Sequence, residues 1–296
     1  MRLLPHAKIN LSLYITGRRP DGYHELDTVF LPLGLHDTLL IRPAEELSFS
    51  CSVPGLETVD NLVLKAWRLM NESFGIGPAA IRLEKKIPSQ AGLGGGSADA
   101  AAMLLGLNEL FGTGLDRMQL SGLGGRLGAD VLAQLWDVPV RGLGNGGEIC
   151  PWEAVPAYSF VLLKPPEGFS TPAMYRAWDE AKNAAGSAGE DDTARRQREL
   201  REALAGGDPS RLAPCLHNDF EAVLPASEKK TVRRAGTFLK KSGALRTLLC
   251  GSGSTVAGLF QDAEKRDRAA ASLAAKLPPD WSVHACDSLS EAKTLC

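Results

Sequence analysis

Between residues 8 and 15 apolar and polar side chains alternate, with Ile9, Leu11, Leu13 and Ile15 on one side and Lys8, Asn10, Ser12 and Tyr14 on the other. A period of two belongs to a β-strand, so the segment predicts a strand with one polar face. The Arg18-Arg19-Pro20-Asp21-Gly22 stretch that follows is turn chemistry, because proline fixes its φ and glycine accepts a positive one. A second strand through Val29, Phe30 and Leu31 would complete a hairpin-like unit. A helix is expected over about 61–74, then a strand carrying Ile81, Leu83, Lys85 and Ile87 at alternate positions and stopped by Pro88. Beginning near Ser97, a second helix places Ala100, Ala101, Leu104, Leu105, Leu107 and Leu110 at helical spacing, so an apolar stripe should face the core until Gly112 ends it. Further on, the pattern predicts a strand over 158–163, a mobile loop over 184–193, a charged surface helix over 194–205 and another helix over 231–241. A strand, glycine turn and strand follow over 247–260, and no internal repeat is present.

A chain of 296 residues with 44% apolar content can bury a large core, and its length lies near the point where one core divides into two. Two subdomains are therefore expected. Lys and Arg total 33 against 35 Asp and Glu, which gives no global positive field of the kind that draws proteins to nucleic acid or anionic membrane. A small molecule is the expected partner, and no apolar surface stripe stands out to indicate an obligate protein partner. The six cysteines form no C-x-x-C pair, and so long a chain needs no disulfide framework, which suits a reduced cytosol. Neither a membrane-length apolar run nor a signal-peptide apolar region occurs at the start. The five histidines are scattered without H-E-x-x-H or a Cys/His cluster, so no protein metal site is expected.

The densest chemical signal is Gln90-Ala91-Gly92-Leu93-Gly94-Gly95-Gly96-Ser97-Ala98-Asp99, four glycines between a strand and a helix. Without Cβ atoms, backbone amides can converge on an anion, and the following helix adds unpaired N–H groups and the positive end of its dipole. Phosphate binding follows, with a bare flexible turn as the competing reading. Ser97 could cap the helix or turn its hydroxyl to a phosphate or its metal ion. No G-x-x-x-x-G-K-[ST] occurs, which excludes a Walker-type loop. The loop approximates G-x-G-x-x-G, but the acidic residue due about 20 positions on is missing and Asp116 falls in a turn, which argues against a dinucleotide site.

Three separated segments together resemble the galactose, homoserine, mevalonate and phosphomevalonate (GHMP) kinase superfamily. They are Pro5-His6-Ala7-Lys8-Ile9-Asn10-Leu11, the glycine-rich loop, and Cys250-Gly251-Ser252-Gly253-Ser254-Thr255-Val256. Within it, Ala7 to Leu11 followed by Thr16-Gly17-Arg18-Arg19-Pro20-Asp21-Gly22-Tyr23-His24-Glu25-Leu26 resembles the 4-diphosphocytidyl-2-C-methyl-D-erythritol kinase family, with Asp-Gly-Tyr-His as the discriminating piece. The resemblance implies an α+β fold of two parts: an N-terminal ribosomal-protein-S5-like domain, set at 1–156, and a C-terminal ferredoxin-like domain, set at 157–296. It also implies transfer of a phosphoryl group from ATP, with Mg2+ carried on the ATP, to a hydroxyl of 4-diphosphocytidyl-2-C-methyl-D-erythritol.

By the same resemblance Lys8 and Asp130 are the catalytic pair and residues 90–99 hold the nucleotide. Phosphoryl transfer needs an acceptor hydroxyl in line, compensation for phosphate charge, and a destination for the hydroxyl proton. Asp130 would take or orient that proton, and Lys8 would stabilise the developing alkoxide. The substrate side is expected to use Asn10, Tyr23, His24, Thr171, Tyr175, Gly251, Ser252 and Gly253. Here Tyr23 and Tyr175 would offer flat faces to cytosine and His24 would read its edge. His217-Asn218-Asp219-Phe220-Glu221 also matches a family segment and reads as structural. Departures from the family pattern are Ala98, where a second serine is common, Ser254, where proline or alanine is common, and the displaced Asp137-Val138-Pro139, which makes Asp137 a rival to Asp130. A kinase of the same superfamily acting on homoserine or a mevalonate derivative, and a silent nucleotide-binding protein, are the alternative readings.

Overall fold

The computed structural model describes residues 1–185 and 190–290, the side chains of 183–185 and 190–191 excepted. Three sheets build the molecule. The first orders the strands Arg2–Leu3, Thr38–Pro43, Ala79–Glu84 and Ser48–Cys51, and the helices Leu62–Phe74 and Gly95–Leu110 pack into the same core. Asn61 starts the first of these helices by accepting a hydrogen bond from the Val63 amide. Buried residues run unbroken from Ala98 to Leu107 in the second, so it is enclosed all round instead of presenting the single stripe expected.

The second sheet orders His217–Asn218, His6–Arg18, His24–His36, Val140–Gly144 and Glu148–Pro151. Its centre is the expected hairpin, with both arms 13 residues long. His217 and Asn218 pair in parallel with Ser12 and Leu13, which ties a late segment of the chain to the first long strand. The third sheet orders Arg246–Leu249, Val256–Phe260, Ser159–Lys164 and Ser282–Asp287, all antiparallel. Helices Ala226–Lys241 and Ala263–Lys276 connect its strands, giving the interleaved order of a ferredoxin-like unit. This is the α+β arrangement that the resemblance implies.

Several elements differ from their sequence-based outlines. The strand expected to run through Ile87 ends at Glu84; beyond it the backbone amides turn to side chains, Lys85 to Ser52 Oγ and Lys86 and Ile87 to Asp37 Oδ1. The glycine-loop helix begins at Gly95, not Ser97. Of the loop expected over 184–193, residues 184–185 finish the helix Thr171–Ala185, 190–193 open the helix Glu190–Ala205, and 186–189 lie outside the described residues. That second helix is not wholly a surface element, since Gln197, Leu200 and Leu204 are buried. No helix among the described residues is long and apolar enough to cross a membrane.

Candidate active site

The polar face of the first long strand is not solvated: Lys8, Asn10 and Ser12 are all buried. Lys8 donates to Asn10 Oδ1 at 2.8 Å, and its Nζ lies 3.4 Å from Asp130 Oδ2 and 5.3 Å from the centre of the Phe30 ring. Asn10 is held in turn, donating to Thr28 Oγ1 at 2.8 Å, while Thr28 donates to the Ser12 carbonyl at 2.6 Å. A buried ammonium is tolerated only when paired and hydrogen-bonded, and Asp130 and Asn10 supply those partners. Asp130 stands in the first turn of the short helix Ala129–Ala133, where a carboxylate is favoured by the exposed N–H groups. Asp130 therefore faces Lys8; Asp137 is not among the residues lining the cavity around them.

That cavity, about 280 Å³, is walled by the first long strand and by both glycine-bearing segments. Along the loop, Ala91 and Leu93 point into the core with Ala7, Ile9 and Leu11, while Gln90, Gly92 and Gly94 face the cavity. Backbone bonds lace the loop to both neighbours: the Lys8 amide donates to Leu93 O at 3.0 Å, and the Thr255 amide to Ala91 O at 3.2 Å. Gly92 has φ +74° and lies so close to the third segment that a Cβ there would meet the Cys250 carbonyl oxygen at 1.8 Å. The bare backbone at this point is thus required first by the packing of the protein on itself. At Gly94, φ +70°, a Cβ would meet Gln134 Nε2 at 2.7 Å and Lys8 Cε at 3.0 Å.

The helix beginning at Gly95 has no side-chain cap and no acidic residue in its first turn. Its leading amides are therefore left for another acceptor, and an anion is the natural one. Ser97 is the third helical residue, within that first turn, and Gly96 before it is exposed, where a Cβ would make only ordinary contact with Leu62 at 3.7 Å. Ala98 and Asp99, like Ala91 and Leu93 of the expected nucleotide segment, are sealed inside. Asp99 binds Lys85 Nζ at 2.6 Å, and Lys85 also binds Asp37, which further accepts the amides of Lys86 and Ile87. One ammonium between two buried carboxylates neutralises only one of them. Burial, reinforced by the Asp37 charge and opposed by Lys85, pushes the Asp99 carboxyl up to about 8. Burial works against the charge on Lys85, but the two carboxylates outweigh it and its pKa is raised.

In the third segment Asn218 fixes the turn by donating to Leu249 O and Gly251 O, each at 2.8 Å. This gives the His217–Glu221 segment a structural task, as expected: Asp219 accepts the Ile15 amide at 2.7 Å and Glu221 the Leu249 amide at 2.7 Å. Gly251, Ser252, Gly253 and Thr171 all line the cavity, with the Thr171 and Ser252 hydroxyls 2.7 Å apart. Burial closes the Cys250 thiol to chemistry, pushing it up to about 12.

Tyr175 also lines the cavity. Burial, with the Asp130 charge adding, pushes its phenol up to about 12. Its ring stacks on His24 at 4.4 Å with 16° between planes and meets the edge of Phe220 at 5.1 Å. Tyr23 is 67% exposed at the hairpin turn, outside the cavity wall, so the two tyrosine faces expected around a base are not brought together. His24 lies beneath Tyr175, its Nε2 2.8 Å from Asp179 Oδ1. Sequence reasoning singled out neither Asp179, Gln134 and Phe169 nor the Asp37–Lys85 pair. Only the alternate placing of Lys85 with apolar neighbours hinted that its side chain is buried, one residue past the strand's end. Among the described residues no three His, Cys, Asp or Glu side chains gather as a metal set.

Comparison with known proteins bears on the family and the fold. Residues 61–145 match the GHMP kinases N terminal domain and residues 200–279 the GHMP kinases C terminal family. The 4-diphosphocytidyl-2-C-methyl-D-erythritol kinase of Symbiobacterium thermophilum is 38% identical over 276 residues, covering 90% of this chain and 93% of that one. The protein of the same name from Nocardia farcinica is 39% identical over 273 residues, with 90% and 87% covered. A crystal structure of 4-(cytidine 5'-diphospho)-2C-methyl-D-erythritol kinase superposes with a TM-score of 0.79 at 32% identity, covering 97% of this chain and 99% of that one. The mevalonate kinase of L. major, in complex with R-mevalonate, shares the fold at a TM-score of 0.75 and 17% identity, with 99% and 97% covered. The chain belongs to the 4-diphosphocytidyl-2-C-methyl-D-erythritol kinase family of the GHMP kinases.

Proposed function

We propose that the protein transfers the γ-phosphoryl group of ATP to the 2-hydroxyl of 4-diphosphocytidyl-2-C-methyl-D-erythritol, in the methylerythritol phosphate route to isopentenyl diphosphate. The observation that carries this reading is the Lys8–Asp130 pair, 3.4 Å apart in one cavity with both glycine turns, in a chain of this family. Asp130, at the open end, accepts the proton of the acceptor hydroxyl as the oxygen attacks. Lys8, fixed within, offsets the charge that develops on that oxygen and on the transferred group. The uncapped amides of the Gly95–Leu110 helix and the preceding loop fit a triphosphate. Mg2+ carried on the ATP would supply neutralising charge to the phosphates, with Ser97 in the first turn of that helix the hydroxyl that could reach it.

Asn10, Thr171, Tyr175 and the turn of Gly251, Ser252 and Gly253 hold the acceptor side, with His24 at the base. Residues 1–156 and 157–296 form the two domains between which the reactants meet. A reducing cytosolic setting is supported by Cys51, Cys150, Cys215, Cys250 and Cys286, all free thiols; Cys296 lies outside the described residues. Purified protein offered ATP with the diphosphocytidyl substrate, homoserine or mevalonate tests the reading. It requires turnover on the first alone, and equal turnover on all three would defeat it.

A further inference from the structure

His24 does not itself line the cavity but lies beneath Tyr175, which does. The ring is clamped on three sides: Tyr175 stacks on it at 4.4 Å, Trp178 meets it edge-on at 5.5 Å, and Nε2 lies 2.8 Å from Asp179 Oδ1. Asp179 also faces Arg18, whose Nη1 is 3.8 Å from Oδ2, so the carboxylate sits beside a permanent positive charge. A carboxylate accepts hydrogen bonds and does not donate them, so the hydrogen between the two groups belongs to Nε2. In a neutral imidazole the other nitrogen is then an acceptor. Among the described residues no group bonds Nδ1, and the atom is not sealed from its surroundings.

We infer that Asp179 is a specificity-determining positioning residue: by holding the hydrogen on Nε2 it presents Nδ1 of His24 as an acceptor, which selects a base edge that donates. At position 4 cytosine carries an exocyclic amino group that donates, whereas uracil carries a carbonyl oxygen there and donates only from its ring N3, so an Nδ1 set against position 4 tells the two apart. Two acceptors facing each other leave both unpaired, and a site built for one hydrogen bond rejects the analogue that cannot make it. Without Asp179 the ring can place its hydrogen on Nδ1 and serve the carbonyl instead. The inference rests on the kinase reading above and adds to it the means by which the base is told apart.

The test compares wild type with Asp179→Leu, which has no acceptor, and Asp179→Glu, which keeps one. The first measurement is kcat/KM for the diphosphocytidyl substrate against the same molecule carrying uracil. Wild type is expected to prefer cytosine, Asp179→Leu to lose about tenfold or more of that preference, and Asp179→Glu to recover part of it. The KM for ATP should stay at its wild-type value in both, which a general structural defect would not allow. The second measurement needs no substrate: the 15N spectrum of His24, assigned by its absence in His24→Gln, should show hydrogen on Nε2 in wild type and a mixture of tautomers in Asp179→Leu. Hydrogen on Nδ1 in wild type, or an unchanged base preference in Asp179→Leu, would overturn the inference alone. A wild-type protein that phosphorylates neither substrate would overturn the reading beneath it as well.

Discussion

Lys8 and Asp130 face each other across 3.4 Å with opposite exposure: the lysine side chain is 6% accessible and the aspartate 44%. The pair is thus a fixed charge inside and a reachable carboxylate outside, which is the division of labour that the proposed transfer to an alcohol needs. Replacing Lys8 with Met removes the buried charge without stranding its partner, because Asp130 keeps its water. We expect the Lys8→Met protein to stay folded and its kcat to fall by about a hundredfold or more, as when one stabilising donor is lost. Steady-state kinetics beside a thermal melt separates the two effects.

Gly92 gives a second expectation, on stability. An Ala there combines a left-handed φ with a Cβ 1.8 Å from the Cys250 carbonyl oxygen, a backbone atom with little room to yield. Gly112 shares the left-handed φ, at +62°, but has nothing within 4 Å of where its Cβ would be. Gly112→Ala should cost about 1 kcal/mol from strain alone, and Gly92→Ala about 3 kcal/mol or more from strain plus overlap. Denaturant unfolding measures both, and equal losses would show that the crossing of the two segments is loose.

The contrast between these glycines also marks how far the sequence could be read. The hairpin, the glycine loop and the turn at residues 251–253 were legible because each is written within a few adjacent residues, in alternation or in turn chemistry. What could not be read was contact between distant segments. Lys85 meets Asp37, 48 positions earlier in the chain, and no local pattern announces that bond. Nothing in the alternation of the first strand shows what covers its polar face, which Gln197, from the other half of the chain, does in part by accepting from Ser12 Oγ at 2.9 Å. Tyr23 reads as a stacking face from its motif, yet the turn that makes the motif recognisable also carries the ring into solvent.

The Lys85 cluster predicts a pH effect on stability. Asp99 is raised from 3.8 to about 8, so the folded protein keeps a proton that the unfolded chain gives up above its ordinary carboxylate pKa. The contribution of Asp99 is therefore greatest below about 4 and is lost as pH rises towards about 8. Asp99→Asn cannot ionise and escapes that loss. The melting temperature of wild type should fall relative to Asp99→Asn between pH 5 and pH 8 and then run parallel to it; parallel curves over the whole range would contradict the assignment.

Tyr175 should act through its ring and not through ionisation. With its phenol pushed up to about 12, it stays neutral throughout the working range. Tyr175→Phe should leave the KM for the diphosphocytidyl substrate within about twofold of wild type, whereas Tyr175→Ala, which strips a stacked face from His24, should raise it about tenfold. Substrate titrations at fixed ATP make the comparison, and an equal rise in both variants would mean that the hydroxyl is what matters.

The most direct test of the account is turnover against nucleotide binding in Asp130→Asn, with Asp137→Asn alongside. Replacing the base by a neutral amide should lower kcat by about a thousandfold. Titration with a non-hydrolysable ATP analogue should give wild-type affinity, because the proposed role of Asp130 is at the acceptor and the residue is not part of the glycine loop. Asp137→Asn should turn over as wild type does. Undiminished turnover in Asp130→Asn, or activity lost only in Asp137→Asn, would contradict the account.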